Sequence, residues 1–409
     1  MEKEILINYA KLIAKHGLNV QKGQDVVLTC SMDQLEFIKI LVEQLYLCGA
    51  RKVITNFKDP EIKKLDIQYQ ALEDLMTPEK FEIDLQEHIA ERQACRLFIE
   101  SDDPDALNGI DFDKYSKAMN NIRKIYKPIR DKYDNKVQWC IAGVPSVKWA
   151  KKVFPSLNED EAVEALWKAI LKTSRSLEGD AIKNFESHDK NLRSRAETLN
   201  NLHLKKLIYK SKNGTDFSVE LLENVLWAAG GEYGQISRIY FQPNIPTEEC
   251  FTSPKKDSAN GVVVSTKPLS LNGHLVENFK VYFKDGKAYK VEAKTGQKIL
   301  EELIASDEGS AFLGEVALIP FHSPINDTGL IFYSTLYYEN SSCHLDLGCG
   351  FENLMVGYEN MTLDEVHKLG INDSIVHCDF MIGSEDMNII GIDKDNKVHQ
   401  IFINGDWAF

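Results

Sequence analysis

The chain is expected to fall in the α/β class, as an N-terminal α/β domain with parallel βαβ units followed by a C-terminal α+β domain rich in antiparallel hairpins. Three observations predict this. Short β-branched runs alternate with amphipathic helical runs over the first half, which is the pattern of βαβ crossovers. Beyond Leu202 the pattern changes to hairpins, with Asn-Gly and Asp-Gly dipeptides between alternating runs. The 409 residues also exceed one ordinary core at roughly 100 to 200 residues per domain. The expected division is 1–190 and 191–409.

The first helix is predicted from about Lys3 to His16, because Ile5, Tyr9, Leu12 and Ile13 share one face and Gly17 offers a stop. Asp25 to Cys30 reads as a strand, Asp33 to Cys48 as an amphipathic helix closed by Gly49, and Arg51 to Asn56 as the second strand of a βαβ unit. Cys95 to Glu100 and Val137 to Ala142 read as two more buried strands, separated by a basic, partly helical stretch around Lys114 to Lys132. Asn158 is a helix N-cap with Glu161 three residues on, and that helix is predicted to run to about Lys172. A highly charged helix over Asp180 to Asn200 would connect the domains.

In the second half, Leu207–Lys210 and Asp216–Leu221 flank Asn213-Gly214, and Val281–Phe283 and Ala288–Val291 flank Asp285-Gly286. A third hairpin is expected between Asn388 and Ile403, with helices near Thr295 to Ala305 and Thr362 to Lys368. Gly329 to Leu336, rich in aromatic and β-branched residues, reads as a strand ending at a turn over Asn340 to Ser342. Gly230-Gly231-Glu232-Tyr233-Gly234 fits no phosphate-binding template and reads as a turn.

Composition excludes several function classes. With 43% apolar and 27% charged residues the chain is globular, and no window of about 18 uncharged apolar residues suggests a membrane span. The start, Met1-Glu2-Lys3-Glu4, lacks a basic and then apolar leader, so no secretory signal is expected and the default location is the cytoplasm. Forty-eight basic against 62 acidic residues give −14, which disfavours nucleic acid as a partner and tolerates a divalent cation. Eight scattered cysteines without a C-x-x-C pair are expected to be reduced, and Cys343 and Cys378 to be small buried apolar groups. No G-x-G-x-x-G follows the first strand, which disfavours a nucleotide-dependent enzyme.

Metal-type side chains gather in four segments of the second half. Glu339 and His344 lie five apart across a break, Glu248 and Glu249 are adjacent, and Glu315 is placed at the mouth of an apolar strand. His377 and Asp379, at i and i+2 of a strand, share one face at roughly 7 Å. Taken singly, each admits a plain reading: an ordinary hydrogen-bonded Glu/His pair, a surface acid, a strand-end hydrogen bond, and a buried ion pair.

Taken together and in order, Asn244–Thr252, Gly314–Leu318, Glu339–Leu345 and His377–Gly383 resemble the metal-site motifs of the aminopeptidase T / aminopeptidase S family of metallopeptidases. Gly17–Gln24, Trp149-Ala150 with Val153-Phe154-Pro155, and Asn213–Asp216 extend the resemblance over nearly the whole chain. It implies a two-metal exopeptidase acting on peptides with a free N-terminus, a C-terminal catalytic domain that carries the metal site, and a homodimer. The implied ligands are Glu249, Glu315, Glu339, His344, His377 and Asp379, with Glu249 chosen over Glu248 on its spacing to Glu315, and Glu248 left as an outer or solvent-facing acid. Four carboxylates and two imidazoles suit two divalent ions, Zn, Co or Mn. The implied reaction is hydrolysis of the N-terminal peptide bond, with Glu315 taking and returning the proton.

The chain departs from the resembled motif at two places. The family carries a tyrosine seven residues after the first metal-binding histidine, where this chain has Phe351, and a small residue where it has Asp346. Loss of a hydroxyl that stabilises the reacting oxygen would cost on the order of 10²- to 10³-fold in turnover. A neighbouring donor, a water, or a shifted alignment around Gly350 would remove that cost. The alternative function is therefore a metal-binding or regulatory relative of the same scaffold with weakened catalysis.

Overall fold

Four parallel strands, joined in sequence by helical crossovers, make most of the N-terminal sheet. They are β1 (Asp25–Cys30), β2 (Lys52–Phe57), β3 (Cys95–Glu100) and β4 (Trp139–Gly143), in spatial order β4-β3-β1-β2. The computed structural model describes residues 1–409 apart from Asp102, Asn135, Asn272, Gly273 and the side chain of Ser270. β1 lies between β3 and β2 and is almost wholly buried, as a β-branched run between two neighbours must be. The helix Leu35–Leu47 makes the crossover from β1 to β2, and Asn244–Ile245 adds a late parallel strand beside β4. The first helix, Lys3–Lys11, widens into a π-helical turn over Leu12–Gly17, where the Leu18 amide reaches back five residues to the Ile13 carbonyl. Asn158 caps the helix Glu159–Thr173: its Oδ1 accepts the Glu161 amide at 2.9 Å, and the Glu161 carboxylate accepts the Asn158 amide at 3.3 Å.

The chain forms two compact units, one of Met1–His188 with Gly231–Thr247 and one of Asp189–Gly230 with Glu248–Phe409. The first cut lies inside the charged helix Ala181–Leu202, and the short return Gly231–Thr247 belongs to the N-terminal unit.

The second unit holds two antiparallel sheets. The larger contains the hairpins Leu204–Lys210/Asp216–Glu220, His274–Lys284/Lys287–Thr295 and Asn388–Asp393/Val398–Ile403. The smaller consists of Ala228–Ala229, β5 (Cys250–Thr252), β6 (Leu313–Leu318), β7 (His344–Gly348) and β8 (His377–Met381), paired in that order. Both sheets contribute to one core: Tyr209, Phe217, Phe279 and Phe402 from the larger meet Val316, Leu345, Leu347 and Phe380 from the smaller. The Phe279 and Phe380 rings lie 5.8 Å apart.

Two sequence expectations are corrected here. Gly329 to Leu336 is not a strand: the chain is irregular up to Ser334 and then forms the short helix Thr335–Glu339. Its aromatic residues satisfy one another locally, which is what β-propensity scales mistake for a sheet position. Phe332 stacks on Tyr337 at 4.5 Å, and the amide of Tyr333, in the left-handed region at φ 54°, donates to the Tyr338 hydroxyl. Glu315 is not at a strand mouth either; it is the third residue of β6, all six of whose residues are buried.

The capping box predicts that Asn158→Ala lowers stability by about 1 kcal/mol, while Asn158→Ser changes it by only a few tenths. Equilibrium urea unfolding of the three proteins measures the difference.

Candidate metal centre

Strand register builds the site. In antiparallel pairs, residues directly opposite share a face. Glu315 on β6 is opposite Asp346 on β7, and Asp346 is opposite Asp379 on β8. Three acids thus form a row across three strands. His344, two residues before Asp346 and opposite Ala317, lies on one side of the row; His377, opposite Gly348, lies on the other. The alternate residues Val316, Leu345, Leu347, Cys378 and Phe380 face the core. Cys378 and Cys343 are therefore buried packing groups, and all eight cysteines are free thiols.

Two further acids enter from outside the row. Glu249 precedes β5, and Glu339 ends the helix Thr335–Glu339. Asn340 ties their supports together: its Oδ1 accepts the Glu248 amide at 2.8 Å, and its Nδ2 donates to the Leu336 carbonyl at 2.9 Å and to Glu339 Oε1 at 3.4 Å. Glu248, expected as an outer or solvent-facing acid, is buried at 5% exposure.

Five of the six expected donors form two overlapping groups, Glu249, Glu315 and His344 in one and Glu315, His377 and Asp379 in the other, each with ligand atoms within 4.8 Å of one another, and Glu339 belongs to neither group. His344 Nε2 is 3.5 Å from Glu249 Oε2, 3.7 Å from Glu315 Oε1 and 3.8 Å from Asp379 Oδ1. His377 Nε2 is 3.6 Å from Glu315 Oε2 and 3.5 Å from Asp379 Oδ2. Glu315 therefore turns one oxygen to each imidazole. These separations are too long for hydrogen bonds. They match the roughly 3.3 Å edge of a tetrahedron whose ligands stand about 2.0 to 2.1 Å from a central ion.

The electrostatics agree with that chemistry. Burial, then the charge of Glu315, pushes Glu249 up to about 8. Burial, then Asp379 and Glu249, holds Glu339 well above the usual carboxylate range. Burial alone would lower His344, but Glu315, Asp379 and Glu249 outweigh it and carry the ring up to about 10. Asp379 Oδ1 is buried and accepts no hydrogen bond from the described residues. His344 Nδ1 lies 3.4 Å from the Ser342 carbonyl, which turns Nε2 to the acids. A carboxylate-rich, thiolate-free cage with surplus negative charge fits hard or borderline divalent ions.

The sequence profile described as thermophilic metalloprotease (M29) matches residues 2–407. This chain belongs to that family. The M29 chain is 40% identical to aminopeptidase AmpS of Bacillus subtilis over 407 residues, covering 99% of this chain and 98% of that protein. It is 34% identical to aminopeptidase T of Thermus thermophilus over 407 residues, with 99% of each chain covered. The solved structure of wild-type AmpT from Thermus thermophilus superposes with a TM-score of 0.89 at 33% identity over the full length of both chains. Family membership makes the protein a metallopeptidase with a mixed α/β fold, and the candidate cage is consistent with divalent metal binding.

Asp346 is the residue that sequence reasoning noted only as a departure. His344-x-Asp346 repeats the i, i+2 spacing of His377-x-Asp379, and two such strands side by side are the signal that would have placed it. Phe351 meets His377 edge to face at 5.4 Å and 71°, and packs on Phe251 at 5.0 Å.

The raised Glu249 and His344 values set a pH dependence. A folded-state value above the unfolded one contributes stability that is full below the unfolded value and is lost as pH rises through the folded one. Chelator-stripped protein should thus lose stability between about pH 4.5 and 8 as Glu249 ionises. Because bound divalent ions compete with those protons, their stabilising shift in Tm should be larger at pH 8 than at pH 6. Thermal scans of stripped and metal-loaded protein at both pH values check the direction.

Proposed function

We propose that the protein is a metal-dependent aminopeptidase that hydrolyses the N-terminal peptide bond of peptides. The observation that carries this reading is the pair of overlapping donor groups sharing Glu315. Glu249, Glu315, Glu339, His344, His377 and Asp379 are the proposed ligands, for two divalent ions of the Zn, Co or Mn type. Bound there, such ions polarise the scissile carbonyl and lower the pKa of water towards about 7.

The chain's own residues do the rest. Glu315, whose carboxylate stands between the two groups, accepts a proton from the attacking water and returns it to the departing amine as the carbon–nitrogen bond breaks. His344 is almost fully buried and holds its position, whereas His377 is 38% exposed and marks the side open to solvent. Division into an N-terminal domain over 1–190 and a catalytic domain over 191–409, a homodimeric assembly and a cytoplasmic location belong to the same proposal. They rest on the resemblance and on composition. Among the described residues no helix is long and apolar enough to cross a membrane.

The weakened-site alternative raised by Phe351 has no support from the relatives, which are themselves named as aminopeptidases. Chelator treatment should abolish release of amino acid from an aminoacyl reporter, and a divalent ion should restore it. Glu339→Gln and His377→Ala should each lower metal-dependent turnover by at least about 10²-fold. Turnover unchanged in both would remove the assignment. A rise of about 10²-fold in Phe351→Tyr would favour the weakened-site reading instead.

A further inference from the structure

We propose that Asp346 is a positioning residue for the metal centre: its carboxylate keeps the ring hydrogen of His377 on Nδ1, so that Nε2 offers its lone pair to the side shared with Glu315 and Asp379. The inference rests on the six-donor reading above.

The Asp346 side chain is fully buried, and its Oδ2 lies 3.2 Å from His377 Nδ1. Its Oδ1 accepts the amide of Cys378, which fixes the carboxylate plane from the neighbouring strand. Oδ2 takes no hydrogen bond of good geometry from any described residue, so its approach to His377 Nδ1 is an ion-pair contact and leaves the oxygen a buried acceptor aimed at that nitrogen. His377 Nδ1 also lies 3.1 Å from the Cys349 carbonyl, so two acceptors face that nitrogen. A neutral imidazole has one ring hydrogen, and acceptors at Nδ1 draw it there. Nε2 is then left 3.6 Å from Glu315 Oε2 and 3.5 Å from Asp379 Oδ2.

The pocket for this carboxylate is built. A Cβ at position 314 would stand 2.6 Å from Asp346 Oδ2 and 2.3 Å from the Cys349 carbonyl oxygen, so glycine is needed there. The two histidines also differ in their need for such a holder. His344 is 1% exposed and confined by its surroundings, whereas His377 is 38% exposed, and water can compete for its ring.

Two substitutions separate this role from packing. In Asp346→Asn, the Cys378 amide still requires an acceptor, so the side-chain oxygen turns to it and the NH₂ faces His377 Nδ1. Donor then opposes donor, which moves the ring hydrogen to Nε2 or swings the ring away, as in a catalytic triad with asparagine for aspartate. Asp346→Ala removes more atoms but leaves the Cys349 carbonyl as the acceptor at Nδ1. Competition of Zn²⁺ and Co²⁺ between chelator-stripped full-length protein and a chromophoric chelator should show affinity reduced about 10- to 100-fold at one of the ion sites in Asp346→Asn, and less than about tenfold in Asp346→Ala.

Histidine ¹⁵N spectra of the ¹¹³Cd-loaded wild type should show coupling to Nε2 of His377 and a proton on Nδ1. Wild-type affinity in both variants, an alanine variant as weak as the asparagine one, or ¹¹³Cd coupling to Nδ1 would overturn the proposal. If Asp346→Asn does not fold, the wild-type spectrum decides alone. Wild-type protein that takes up no divalent ion would overturn the metal reading itself, a different result from normal wild-type binding with unaffected variants.

Discussion

Three carboxylates held side by side on adjacent strands are the constraint around which the second unit is organised. Glu315, Asp346 and Asp379 are direct neighbours across β6, β7 and β8, and like charges so placed repel. Water cannot screen them, because all three are buried. The two imidazoles beside the row offset part of the charge. Glu249 and Glu339 add to it, so five acids stand against two rings, and burial first, then the neighbouring acids, raises Glu249 and Glu339. Divalent cations are the chemically natural counterpart of such an arrangement.

The same strands carry the site on one face and the core on the other. Period-two alternation lets Glu315, His344, Asp346, His377 and Asp379 converge while Val316, Leu345, Leu347, Cys378 and Phe380 anchor the sheet behind them. Each donor thus sits on backbone held by ladder hydrogen bonds and buried side chains, a stiffer mount than a loop gives. The contributions from outside the sheet are tied down separately, through the three hydrogen bonds of the buried Asn340 side chain.

The two departures from the resembled motif meet at one ring. Asp346 approaches His377 at Nδ1, and Phe351 lies edge to face against the same imidazole. A chain that lacks the phenol at 351 carries an additional carboxylate on the adjoining strand, five residues earlier. Both changes act on the more exposed of the two histidines.

Much was legible in the sequence because the signals were local. The βαβ alternation, the turn dipeptides of the hairpins and the Asn158–Glu161 capping box each depend on residues a few positions apart, and the ordered motifs named the donor types. Local signals also misled: Phe332 and Tyr333 read as part of a strand but pair with Tyr337 and Tyr338 of the short helix that follows. Which acid stands opposite which is a matter of register between strands more than 25 residues apart in the chain, set by packing of the opposite face, so the row through Asp346 and the sharing of Glu315 between two imidazoles were decided only by the tertiary structure.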